Sequence, residues 1–126
     1  MKKFNLVDSC GWLEYISGSL RGKEYYDPVN DYENLIVPSI CIFEVFKKIL
    51  IHQDEEEALR VVANMQLGRV VDMDGRVAID ATQLSKEHKI PMADSIILAT
   101  ARIFLATIWT QDNHFKGMKS VKYFGK

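Results

Sequence analysis

Apolar positions along the chain alternate between short solid runs and longer stretches with helical spacing. The first run, Phe4-Asn5-Leu6-Val7, stops at Asp8-Ser9, and apolarity on both faces marks a strand in the middle of a parallel sheet. Trp12, Leu13, Tyr15 and Ile16 give Gly11 to Gly18 the pattern of a short amphipathic helix, broken at Gly18-Ser19. Ser19 to Tyr32 reads as a second helix, weakened by Gly22 and interrupted at Asp27-Pro28. Leu35-Ile36-Val37 is a buried strand closed by Pro38, after which Ser39 caps a helix from Ile40 to His52. The acids of Gln53 to Glu57 open a helix from Asp54 to Gln66, where negative charge suits the helix dipole.

Gly68 ends that helix and Arg69-Val70-Val71 forms a strand. Asp72-Met73-Asp74 leads into a helix from Gly75 to His88 with Val77, Ala81 and Leu84 on one face. Pro91 opens a helix from Met92 to Leu105 that is apolar nearly all round and therefore buried. Ala106 to Thr110 is a strand, Gln111 to Phe115 a turn or single helical turn, and Ser120 to Phe124 a last strand whose lysine suits an exposed edge. Strands separated by helices imply right-handed crossovers. The expected fold is a three-layer α/β/α sandwich on a mainly parallel sheet of about five strands, in one domain over residues 1–126.

Composition narrows the function without naming it. The chain is 48% hydrophobic and 26% charged over 126 residues, an ordinary globular balance with room for one core. Lys plus Arg number 16 against 17 Asp plus Glu, so the formal net charge of −1 argues against coating nucleic acid by basicity alone. A nuclease whose metal supplies charge locally remains open. Cys10 and Cys41 are too few for a disulfide framework and read as small buried hydrophobes in a reducing cytosol. The apolar part of the start is too short for a signal peptide. The region Ile96 to Trp109 carries Arg102 and falls short of a membrane span, so a cytoplasmic protein is expected.

Four carboxylates carry the candidate chemistry. Asp8 either caps the following helix or points into the crevice where open α/β sheets bind ligands. Glu44 either pairs with Lys47 or Lys48 on the surface or faces a cleft, since its neighbours are large and apolar. Asp94 lies in the first turn of a buried helix, above a stripe of Leu98, Ala101 and Leu105. Asp112 follows a strand end, in good turn composition. All four project to one edge of one sheet. Acids so close need protons or a cation, and an acid-only oxygen site suits Mg²⁺ or Mn²⁺. Zinc is disfavoured because no Cys/His cluster has ligand spacing.

Asp8-Ser9, Glu44, Ala93-Asp94-Ser95-Ile96-Ile97-Leu98-Ala99-Thr100-Ala101 and Thr110-Gln111-Asp112-Asn113-His114-Phe115 together resemble the four motifs of PIN domains. The resemblance spans essentially the whole chain, and the length is that of compact VapC-type toxins. Some members carry a further acid near the end of the last motif, where this chain has Asn113 and His114. The resemblance implies an endoribonuclease using one or two Mg²⁺ or Mn²⁺ ions at Asp8, Glu44, Asp94 and Asp112. It also implies a homodimer silenced by a small antitoxin. Ser9, Thr110 and Asn113 would orient the acids, and Lys47, Lys48, Arg102 and His114 are candidate RNA contacts, against the alternatives of solubilising lysines and a bystander turn histidine. Trp12, Tyr15, Tyr25 and Tyr26 give the first helices an aromatic surface suited to an antitoxin helix, with Trp12 serving the core. Two rivals stand beside this reading. A receiver-type phosphorylation switch would use Asp72 or Asp74 but leaves Glu44 and Asp94 unexplained. A non-catalytic docking module would keep the fold without turnover.

Overall fold

The first strand is the centre of the sheet in the computed structural model, which describes residues 3–125. The strands are β1 (Asn5–Val7), β2 (Leu35–Pro38), β3 (Arg69–Val71), β4 (Thr107–Thr110) and β5 (Val121–Tyr123), all parallel in the order β3-β2-β1-β4-β5. Leu6 is in register with Ile36 on one side and Ile108 on the other, and all three side chains are buried. That double coverage is why the inner strands read as unbroken apolar runs.

Helices α1 (Ser9–Ser17), α2 (Tyr26–Asn30), α3 (Ser39–His52), α4 (Glu55–Met65), α5 (Gly75–His88) and α6 (Met92–Phe104) fill the crossovers. Asp54 and Asp74 cap α4 and α5 by accepting the backbone N–H of Glu57 at 2.8 Å and Val77 at 2.9 Å. From β1 the chain builds outward through β2 to β3, then crosses back to β4 and β5 on the other side. The reversal falls between β1 and β4, the topological switch point at which α/β sheets bind ligands. Asp8 directly follows β1, and Asp112 stands two residues beyond β4. No helix among the described residues is long and apolar enough to cross a membrane.

The helix expected over Ser19 to Tyr32 does not form as one element. A 3₁₀ turn (Arg21–Tyr25), α2 and a second 3₁₀ turn (Tyr32–Asn34) replace it. The cause is close packing on α1: a Cβ at Gly22 would stand 2.4 Å from the carbonyl oxygen of Glu14. Ser19 Oγ accepts the Gly22 N–H at 3.0 Å, and Tyr25 is fully buried, which removes it from the expected aromatic surface. Ser39 is the first residue of α3 and not its cap. Pro38 holds the cap position because it completes β2, in register with Val71. The helix expected to run on to Leu105 stops one residue short, so its buried stripe ends at Ala101. Leu105 takes a left-handed conformation (φ 54) and is 87% exposed, while the Ala106 N–H closes the helix onto Ala101 O at 2.8 Å.

Candidate active site

Asp8 is both a helix cap and part of the crevice. Its backbone is extended as it leaves β1, and its Oδ1 accepts the Ser9 N–H at 2.7 Å. Its Oδ2 accepts the Thr110 hydroxyl at 2.8 Å and the Cys10 thiol at 3.4 Å. Thr110, fully buried at the end of β4, also accepts the Asp112 N–H at 2.9 Å. One hydroxyl therefore fixes the two strand-end acids relative to each other. Ser9 does the corresponding work on the other side, donating from Oγ to Glu44 Oε1 at 2.6 Å.

Asp94 comes in from α6. The cap position of that helix is Pro91, which brings no side-chain acceptor, and Asp94 in the first turn meets His114 instead. His114 Nδ1 lies 2.8 Å from Asp94 Oδ2 and 2.9 Å from Asp112 Oδ1. Asp112 Oδ1 also accepts the His114 backbone N–H at 2.9 Å, which winds the residues after β4 into a 3₁₀ turn (Asn113–Phe115). Phe115, fully buried, anchors that turn.

The acids are crowded. Burial pushes Asp8 above the usual carboxylate range. Its bonds from Thr110, Cys10 and Ser9 pull the other way, and the charge of Asp112 pushes up again. Burial, then the charges of Asp112 and Asp8, raise Asp94 from 3.8 to about 7, with His114 opposing them. Burial and Asp8 drive the Cys10 thiol up to about 12, so it stays a protonated donor beside the carboxylate and not a thiolate. Among the described residues no lysine or arginine forms an ion pair with Asp8, Asp94 or Asp112. Ligand atoms of Asp94, Asp112 and His114 all lie within 4.8 Å of one another. An oxygen-rich donor set with excess negative charge fits a hard divalent cation.

Asp8, Asp94 and Asp112 thus meet, and Glu44 joins at the margin through Ser9. The remaining candidates are farther out. Asn113 is exposed and makes no hydrogen bond to the three aspartates among the described residues. Lys47 and Lys48 are exposed one turn beyond Glu44, with Lys47 Nζ 5.8 Å from the Phe43 ring centre. Arg102 is in the last turn of α6, about 12 Å along the axis from Asp94, which removes it from this centre. His114 was expected to face RNA, yet its Nδ1 sits among the acids. The spacing Asp112-Asn113-His114 in a helical turn is the one sequence signal for this. Cys10 has none, and neither does the chain in which Tyr25 OH donates to Gln111 Oε1 (3.0 Å) and Gln111 Nε2 to Glu14 Oε1 (2.8 Å).

Thr110→Val keeps the shape of the side chain but strands the Asp112 N–H and removes a donor from Asp8. It is expected to cost about 1–3 kcal/mol in denaturant unfolding, with Thr110→Ser close to wild type. Equal stabilities for valine and serine would show that the hydroxyl does not hold the two strand ends.

The PIN domain family model matches residues 6–120. The chain belongs to the PIN domain family. Several solved structures share its fold. A chain of a toxin–antitoxin complex from Klebsiella pneumoniae superposes with a TM-score of 0.83 at 20% identity, over 97% of this PIN domain and 99% of that chain. For DNA-bound VapBC from Salmonella typhimurium the TM-score is 0.73 at 19% identity, over 99% and 98%. For Mycobacterium tuberculosis VapC20, a sarcin–ricin loop cleaving toxin, it is 0.74 at 14% identity, over 90% and 94%. Identities this low establish likeness of fold. No curated protein sequence matches the chain.

Proposed function

We infer that this PIN domain is a metal-dependent endoribonuclease and the toxin of a type II toxin–antitoxin pair. The observation that carries this is the meeting of Asp8, Asp94 and Asp112 at the switch point, with Asp94 raised to about 7 and no lysine or arginine paired to any of the three among the described residues. Supporting it, the folds most like this one include chains from toxin–antitoxin complexes and a toxin that cleaves the sarcin–ricin loop.

Asp8, Asp94 and Asp112 would hold Mg²⁺ or Mn²⁺, with Glu44 at the edge of the set. Such a cation supplies Lewis acidity toward a phosphodiester and lowers the pKa of a water. Thr110 keeps Asp8 and Asp112 at a fixed separation, and Ser9 aims Glu44, so the acids are positioned before substrate arrives. Lys47 and Lys48 lie beyond Glu44 as candidates for the RNA backbone, which supplies position without sequence. The antitoxin would seat an apolar anchor in the cavity of about 110 Å³ lined by Trp12, Tyr15, Val29, Tyr32 and Val61. Tyr26, 58% exposed and 6.4 Å from Tyr15 between ring centres, extends that apolar rim. A single-domain cytoplasmic homodimer completes the reading.

The test is cleavage of structured RNAs by purified protein with and without Mg²⁺ or Mn²⁺, beside Asp8→Asn. Asparagine still caps a helix, so the fold is retained while a charged ligand is lost. A fall in rate of about 100-fold or more is expected, at least the effect of losing a residue that merely supports a ligand. Undiminished cleavage by Asp8→Asn would sink the site assignment. Metal binding with no cleavage of any RNA would favour a docking module.

A further inference from the structure

The acids alone do not complete the centre, because an imidazole nitrogen occupies the space between two of them. We propose that His114 Nδ1 is a direct ligand of the cation, and that this nitrogen makes the site prefer Mn²⁺ to Mg²⁺. The inference rests on the reading above that Asp94 and Asp112 bind a divalent ion.

Three features carry it. First, Nδ1 is 2.8 Å from Asp94 Oδ2 and 2.9 Å from Asp112 Oδ1, so it faces the same point as both carboxylates. The three donors lie within 4.8 Å of one another, close enough to share one ion. Second, the ring is placed by more than this contact. The His114 N–H is held by Asp112 at 2.9 Å, and the next residue, Phe115, is fully buried. Third, the side chain is 44% exposed, so a tautomer with its proton on Nε2 can satisfy that N–H with water while Nδ1 presents its lone pair inward.

A nitrogen in the set changes which ion fits. Mg²⁺ demands oxygen ligands in near-ideal octahedral geometry, whereas imidazole bonds more readily to transition metals. Mn²⁺ binds most weakly of the first-row divalent ions, yet as a transition ion with looser geometric demands it takes an imidazole beside carboxylates more readily than Mg²⁺ does. The residue that stands in for a further acid therefore does not merely weaken the site. It retunes it.

Two measurements on metal-stripped full-length protein test this, neither needing RNA. Electron spin-echo spectra of the Mn²⁺ complex should show nitrogen hyperfine coupling in the wild type and none in His114→Asn. Calorimetric titrations should show the ratio of Mn²⁺ to Mg²⁺ affinity falling by about tenfold in both His114→Asn and His114→Asp. His114→Asp should retain Mg²⁺ binding, because it restores an all-oxygen set. A wild-type Mn²⁺ complex without nitrogen coupling, or an affinity ratio unchanged in His114→Asn, overturns the ligand role while leaving the carboxylate site standing. Failure of wild type to bind either ion, or binding undiminished in Asp94→Asn, overturns the carboxylate site itself. Metal-free melting curves of the His114 variants confirm that an exposed substitution has left the fold intact.

Discussion

Asp94→Asn is expected to stabilise the metal-free protein while abolishing the proposed RNA cleavage. Asp94 has its pKa raised from 3.8 to about 7 by burial and by the charges of Asp112 and Asp8, so the native state favours its protonated form. The stability this contributes is full below the ordinary carboxylate value and is lost as pH rises through about 7. At pH 8 the ionised side chain is therefore a liability that an uncharged amide removes. A shift of this size bounds the gain at about 4 kcal/mol. Loss of the His114 contact and local relaxation leave on the order of 1–2 kcal/mol, or about 4–8 °C in melting temperature for a domain of this size. The difference between variant and wild type should fall to roughly a third at pH 5 and vanish only below the ordinary carboxylate value of 3.8. Saturating Mn²⁺ should raise the wild-type melting temperature at pH 8 and leave the variant where it was. Scanning calorimetry at the two pH values, with and without metal, reads all of this. A variant less stable than wild type at pH 8 would show that the acids are not in conflict.

Gly22→Ala should be the most damaging conservative change outside the site. A Cβ there would meet Glu14 O at 2.4 Å and Tyr15 Cα at 3.0 Å, both backbone atoms that cannot swing aside. Overpacking of this kind costs roughly 1–3 kcal/mol. The damage should spread, because Glu14 and the buried Tyr25 both bond Gln111, next to Asp112. Gly75→Ala is the control. Nothing lies within 4 Å of a Cβ at that position, at the start of α5, and the change should be neutral or slightly stabilising. Urea unfolding of both variants decides the point, and equal stability would mean that α1 and the turn after it separate easily.

These two cases show what the sequence could and could not convey. The central strand, the edge position of β5 and the acids at the carboxyl ends of β1 and β4 follow from local patterns: apolar runs, breakers and charge. Gly22 was legible as a weak point in a helix. Its contact with Glu14 depends on where α1 lies, which no local window contains. Leu105 failed for the same kind of reason, since helical periodicity continues through it while the chain turns left-handed there. The roles expected of Arg102 and His114 came from charge and motif position. Helix length puts Arg102 at the far end of α6, and a tight turn brings His114 back onto its neighbouring acid. Distances between elements, not the elements, were what the sequence withheld.

The strand order also has a history written into it. Thr110 reaches back 102 positions to Asp8, so β1 waits for its second neighbour until β4 has been synthesised. A nascent chain carrying only β1, β2 and β3 has Asp8 on an open edge and no Asp112 to face it. Contacts that span so much chain form late and slowly. In a chain proposed to cut RNA, the candidate site therefore stays incomplete until β4 and the turn after it have been made.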